Sequence, residues 1–386
     1  MKICIVCDVL GEENNGTTIA AMNLIRSLKT KGHEVRVICP SHPLYNNKEG
    51  FYTMPIIHLP KALNNIVVKN NVVIGRFDRK IMLKAFDGVD LVHVMFPLFM
   101  GPKCARYAKT ILNLPVTCGF HCQAENLSSH FFGLMDSNFF NRLVYKNYYK
   151  KMYRYADIIH YPTEFIKKTF EEVVGPTNGE VISNGVQKIF EKREVSKPKE
   201  LENKKTILFI GRISKEKSHS ILIKAVPLSK YKNDIQLVFA GQGPRLKEVQ
   251  KLSQKLLPNQ PIIKFFTHDE LVNIINAADL YVHPAEVEIE AISCLEAIKC
   301  GLVPVINNSP KSATKYFALD ERSLFNFNDH VDLAKKIDYW FDHPEEKAKM
   351  SQRYAESAVK FDFDTCMDRM EEMLNRAIEL CKEKNE

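Results

Sequence analysis

A chain of 386 residues with 45% hydrophobic and 26% charged content has material for two domains or more, each able to bury a core. No apolar run approaches the length of a transmembrane helix, the chain enters a strand at once without a signal-peptide pattern, and ten scattered cysteines suit reduced thiols, so a cytoplasmic setting is expected. The net charge of +8 belongs wholly to the N-terminal half: residues 1–190 hold 23 Lys and Arg against 15 Asp and Glu, whereas residues 191–386 hold 31 of each. A basic half suits an anionic partner, membrane surface or nucleic acid, or serves solubility alone.

Residues 2–8 are apolar and read as a strand, residues 19–31 repeat apolar side chains at helical spacing, and a second strand follows Gly32-His33 over 34–39. This βαβ opening is the grammar of a parallel sheet. The polar loop before the helix ends in Gly16-Thr17-Thr18. There, free N–H groups and the positive helix end suit a phosphate, and a hydroxyl cap is the plainer reading. Cys4 and Cys7 lie in the apolar run and read as core residues, and Cys118 and Cys122 have no partner pair at zinc spacing, so no metal site is expected. Residues 61–86 and 131–155 interleave basic residues with apolar and aromatic ones, Phe139, Tyr145 and Tyr149 among Arg142, Lys146 and Lys150 in the second. Such stretches suit a membrane interface, or pack beneath their own domain. Further strands are expected at 91–94, 116–120, 157–161 and 181–182. His121 directly follows one of them, at the strand end where ligands gather in open α/β sheets.

Residues 187–204 are charged, carry Lys197-Pro198-Lys199 and read as a linker with little to pack in a core. A new βα unit starts at the strand 206–210, followed by Gly211-Arg212 and Glu216-Lys217. The strand 235–240 leads into Gly241-Gln242-Gly243-Pro244, which lacks the third glycine of a dinucleotide fingerprint, Leu246 standing in its place. The strand 280–282 stops at Pro284, an acidic loop comes next, and residues 291–299 form a helix closed by Gly301 before a strand at 303–306. Seven residues separate Glu288 from Glu296. On one continuous helix they would share a face, about 12 Å apart. Asp362-Phe363-Asp364 imitates a metal-binding Asp-x-Asp, but Asp364 stands where an N-cap belongs, with helix from Thr365 onward.

Glu288, seven residues, then Leu295-Glu296-Ala297, Cys300-Gly301 and Pro304-Val305-Ile306 together resemble the signature of family 4 glycosyltransferases, retaining enzymes that use nucleotide-activated sugars. Gly211-Arg212 with Glu216-Lys217 resembles that family's diphosphate turn, and Asn184-Gly185-Val186 the turn closing its first domain. The resemblance implies the α/β GT-B fold, two Rossmann-like domains with a cleft between them. It divides the chain into an acceptor-side domain (1–186), a linker (187–204), a nucleotide-sugar domain (205–361) and a helix crossing back (362–386). By the same resemblance Arg212 and Lys217 hold the donor diphosphate, Glu288 the sugar hydroxyls and Glu296 the ribose. Gly241 and Gly243 lie near the nucleotide and the His268 backbone near its base. His121 and Gly16 complete the site from the other domain, with His121 and Glu288 as catalytic residues and His130 guiding the acceptor.

Retaining transfer of a glucose or galactose from a UDP-sugar, with no metal or other cofactor, is the activity this resemblance implies. The basic, aromatic first half directs the transfer to a lipid hydroxyl, of diacylglycerol or ceramide, at the anionic inner face of the cell membrane. Assembly of a surface polysaccharide, a UDP-sugar epimerase of the same fold and a non-catalytic binding module are the alternatives; nucleic acid ranks last, for want of a motif. The chain departs from the family at Glu288-Ile289-Glu290-Ala291, where glycines and an aromatic are usual.

Overall fold

Short apolar runs become strands buried on both faces, as the inner strands of a parallel sheet must be. In the computed structural model, which describes residues 1–12, 16–57, 73–128 and 137–384, these strands assemble into two sheets. The chain divides into two units, Met1–Asn184 with Asp364–Glu386, and Gly185–Phe363.

The first unit runs β1 (Lys2–Val6), α1 (Gly16–Thr30), β2 (Glu34–Pro40), β3 (Phe51–Met54), α2 (Arg79–Phe86), β4 (Leu91–Val94), α3 (Gly101–Thr110) and β5 (Val116–Gly119). It continues with α4 (Ala124–Ser128), α5 (Asn138–Lys151), β6 (Ile158–Tyr161), α6 (Glu164–Val174) and β7 (Gly179–Val181). Its sheet has the order β3-β2-β1-β4-β5-β6-β7, every pairing parallel. Asp78 caps α2, Ser137 caps α5 and Thr163 caps α6, each accepting from a backbone N–H of the first turn. Gly32, at φ +84°, closes α1. The last helix, α13 (Phe363–Glu383), enters this unit at Asp364. There Lys31 pairs with Asp368 and Glu371, and Arg369 donates to the Val181 carbonyl at 2.9 Å.

The second unit runs β8 (Lys205–Ile210), α7 (His219–Ala225), β9 (Ile235–Ala240), α8 (Leu246–Leu256), β10 (Ile262–Lys264), α9 (His268–Ala277) and β11 (Leu280–His283). After it come α10 (Ile292–Lys299), β12 (Pro304–Asn307), β13 (Leu324–Phe325), α11 (His330–Asp342) and α12 (Pro344–Ser357). The sheet order is β10-β9-β8-β11-β12-β13, again parallel throughout. Both sheets thus carry the Rossmann order, in which the strand sequence reverses direction between the first and fourth strands of the unit. In the second unit that switch point lies between β8 and β11.

Several expectations change. Residues 187–204 are more than a linker, because Phe190 and Leu201 are fully buried in the core of the second unit. Two apolar side chains among charged neighbours suffice to anchor a segment whose composition reads as solvated. Helix α13 starts two residues before Thr365, so Asp364 lies in its first turn instead of capping it. The edge strands β3, β10 and β13 are four residues or shorter and show no usable periodicity. Of the two basic, apolar stretches, residues 61–72 and 131–136 lie outside the described residues. All ten cysteines are buried free thiols, Cys4 and Cys7 included.

Candidate active site

The best-defined cluster stands at the carboxyl ends of β8 and β11. After β8 the chain turns through Gly211, Arg212 and a short 3-10 turn, Lys215–Lys217, before Ser218 at φ +50° opens α7. After β11 it runs from Pro284 to Ala291, and Ala291 takes a left-handed φ of +62° to enter α10. A β-carbon makes that conformation cost about 1 kcal/mol or more. It falls at the point where the family usually places glycine. The two loops are tied together: Glu286 N donates to the Glu216 carbonyl at 2.8 Å, and the Lys217 ammonium pairs with Glu288 Oε1. The same oxygen lies 3.1 Å from His283 Nε2. Glu288 therefore precedes helix α10 and does not share it with Glu296, contrary to the single-helix geometry considered from spacing; its backbone bridges Ser312. Burial pushes the Glu288 carboxyl up, but Lys217 and His283 outweigh it and hold the carboxyl at about 2. Glu288 is a carboxylate at any physiological pH.

Arg212 is half-buried, and burial draws its guanidinium below the ordinary value while the Glu216 carboxylate opposes the change. Its loop rests on the Gly241-Gln242-Gly243 turn. Ile213 N donates to the Gln242 carbonyl at 3.1 Å and Arg245 N to the Ile213 carbonyl at 3.0 Å. A Cβ at Gly241 would stand 2.1 Å from the Gly211 carbonyl oxygen, and one at Gly243 2.4 Å from that of Ile213. These glycines are required by backbone-on-backbone contact with the arginine loop. Sequence reasoning connects them to the nucleotide alone.

Glu296 sits mid-way along α10, half-buried, with no hydrogen-bond or ion-pair partner among the described residues. Burial alone raises it to about 7. His268 is the exposed first residue of α9, whose N-terminus is closed by a Thr267–Glu270 capping box.

The remaining candidates lie in the first unit. Helix α1 begins at Gly16; Thr17 donates to the His121 carbonyl at 3.4 Å and Thr18 to the Val9 carbonyl at 3.2 Å. Asn14 and Asn15 of the expected phosphate loop, and His130, are outside the described residues. His121 follows β5 and lines a cavity of about 10 Å³ with His93 and His160. His121 Nε2, His93 Nε2 and His160 Nδ1 are buried without a hydrogen-bond partner among the described residues. Gly119 makes room for this arrangement, since a Cβ there would stand 2.7 Å from His121 Nε2. Burial depresses all three imidazoles, His93 to about 3, His160 to about 4 and His121 well below its ordinary value, so all are neutral. Sequence reasoning finds His121 from its strand end but not His93 and His160, which sit in strands with no motif around them.

A cation–carboxylate pair thus stands at the switch point of a Rossmann-order sheet, beyond the carboxyl ends of its strands, where open α/β sheets bind their ligands. The Glycosyltransferase Family 4 model matches residues 14–188 and the Glycosyl transferases group 1 model residues 190–357. The chain belongs to the family 4 glycosyltransferases of GT-B fold. It is 22% identical over 329 residues to a GDP-mannose-dependent alpha-mannosyltransferase of Corynebacterium glutamicum, covering 79% of this chain and 72% of the relative. It is 21% identical over 323 residues to an alpha-monoglucosyldiacylglycerol synthase of Streptococcus pneumoniae, covering 80% and 72%. Among solved structures, Anabaena Alr3699/HepE in complex with UDP and glucose superposes with a TM-score of 0.76 at 16% identity, over 97% of this chain and all of that one. The catalytic domain of cholesterol-alpha-glucosyltransferase from Helicobacter pylori is 51% identical over 40% of this chain and 98% of its own, with a TM-score of 0.39.

Proposed function

We propose that this glycosyltransferase moves a glucose or galactose from a UDP-sugar to a lipid hydroxyl, of diacylglycerol or ceramide, with retention at the anomeric carbon. The observation that carries the reading is the Lys217–Glu288 pair at the β8/β11 switch point, with Arg212 on the same loop after β8 as Lys217. Arg212 and Lys217 supply positive charge where a diphosphate leaving group becomes more negative as the glycosidic bond breaks, which lowers the barrier without calling for a metal ion. The Glu288 carboxylate accepts from sugar hydroxyls. Glu296 accepts from the ribose, whose hydroxyls supply the partners its carboxyl lacks. The leaving phosphate, placed on the face the acceptor attacks, takes the acceptor's proton, and that front-face course retains configuration.

The acceptor rests on α5. This helix carries Arg142, Lys146, Lys150 and Lys151 and no acidic residue, and exposes Phe139 at 75%, Leu143 at 49% and Tyr149 at 36%. Tyr145 and Tyr148 supply its buried side. An exposed face that mixes rings, leucine and cations fits an anionic lipid surface, and no described helix is long and apolar enough to cross a membrane. The pneumococcal relative, by its name, forms a glucolipid on diacylglycerol.

The test is UDP release by the purified chain with UDP-glucose, UDP-galactose or UDP-N-acetylglucosamine, and with GDP-mannose as the competing donor class. Diacylglycerol, ceramide or cholesterol is presented in anionic mixed micelles. Lipid-dependent release from one UDP-hexose, with an α-linked product by NMR, is the expected result. Release from GDP-mannose alone overturns the donor, conversion of one UDP-sugar to another without lipid favours the epimerase, and turnover only on a glycan removes the lipid acceptor.

A further inference from the structure

We propose that Tyr281 and His283 are positioning residues for Glu288, a buried Tyr–His–carboxylate relay that fixes the Glu288 carboxylate from beneath. The inference rests on the sugar-binding role proposed for Glu288 and adds two residues to it. Both stand on β11 two positions apart, and so point to one face of the sheet. Their exposure is 0% and 1%. Tyr281 Oη lies 3.1 Å from His283 Nδ1, and His283 Nε2 lies 3.1 Å from Glu288 Oε1.

The protons in this chain of groups are determined by its two ends. The Glu288 carboxylate offers only lone pairs, so the nitrogen facing it must carry a hydrogen. Burial holds His283 below its ordinary value even beside Glu288, and a neutral imidazole has one N–H only. Nδ1 is then an acceptor, and the Tyr281 hydroxyl, held protonated by burial, is its donor. Tyr281 donates to Nδ1 and Nε2–H donates to Glu288. Phe209 packs edge-on against the same imidazole with centroids 5.5 Å apart and keeps its plane in place.

Lys217 and His283 share one carboxylate oxygen, but they are not equivalent. Lys217 stands on a surface turn and is the cation that a diphosphate would draw away. His283 stands on the sheet and cannot follow. When Lys217 turns to the donor, the Nε2–H bond keeps Oε1 in place and leaves Oε2 to the sugar hydroxyls. Groups that orient a metal ligand from behind typically cost about 10–100-fold in affinity or activity when removed, and a loss of that order is expected here.

The test uses the full chain. Histidine side-chain 15N NMR, with His283→Gln supplying the assignment, should show His283 as the neutral Nε2–H tautomer at pH 7.5, with and without UDP. A Nδ1–H or doubly protonated ring overturns the relay, and this readout needs no turnover. In the UDP-release assay, His283→Phe should lower kcat about 10–100-fold with UDP Kd within about twofold. His283→Gln, whose amide can donate where Nε2 did, should recover most of the loss, and Tyr281→Phe, the milder variant should the first fail to fold, should cost about 3–10-fold. Equal losses in the Phe and Gln variants, tracking a lowered Tm, overturn the proposal. Glu288→Gln separates the two readings: if it turns over normally the site assignment fails, whereas if it is impaired and His283→Phe is not, the relay alone fails.

Discussion

At the scale of single residues, the second unit shifts two glutamates in opposite directions. Glu288 is held ionised by an ammonium and an imidazole, while Glu296 is raised to about 7 by burial with nothing to offset it. Glu288→Ala should abolish hexosyl transfer while UDP binding, read by calorimetry, changes little. Arg212→Ala should damage both, by about 10-fold or more each, since a guanidinium facing a diphosphate acts in binding and in charge development alike. For Glu296 the sign follows from its folded-state value lying above the ordinary 4.5. The folded chain keeps a proton that the unfolded chain releases, so this contribution is intact below pH 4.5 and is lost as pH rises to 7 and beyond. Glu296→Gln removes the loss. Discounted for a half-buried group, the gain is ~1 kcal/mol, read as a Tm about 2–4 °C above the parent at pH 8 and no difference at pH 4.

At the scale of elements, loops after parallel strands carry the chemistry and glycines decide how closely they stack. Gly243→Ala would drive its Cβ into the Ile213 carbonyl and displace the loop that carries Arg212. UDP affinity should fall about 10-fold or more in calorimetry, with a smaller change in Tm, because the contact lies at the sheet's rim. Both βα turns and the Gly301 cap were legible from sequence. Gly301 adopts φ +76°, with Leu302 N donating to the Ala297 carbonyl at 3.0 Å, as a glycine just past a helix predicts. Buried Phe190 and Leu201 in the expected linker were not legible, because isolated apolar residues carry no period.

At the scale of the whole molecule, the charge excess of residues 1–190 and the exposed face of α5 coincide in one half of the chain. Sedimentation with vesicles containing anionic lipid should show binding that weakens steeply as salt rises from about 50 to about 500 mM. Replacing Phe139 and Leu143 together by Ser should cut the binding about 10-fold or more while leaving Tm nearly unchanged, since both side chains are already exposed. Unaltered binding would remove α5 from the lipid surface.

Strand and helix periods, Gly and Pro punctuation and the Glu288–Glu296 signature were local properties, so the sequence by itself determined two parallel α/β sheets, the family and the loops that hold the candidate site. Which atoms meet was not local. Lys217 and Glu288 are 71 residues apart in the chain, and only the β8–β11 pairing that reverses the strand order brings them to one bond. The contacts of His283 with Tyr281 and Glu288, the three buried imidazoles of the first unit and the opposite shifts of the two glutamates were likewise decided by tertiary structure. Each depends on what surrounds a group once water has been excluded, and no spacing along the chain records that.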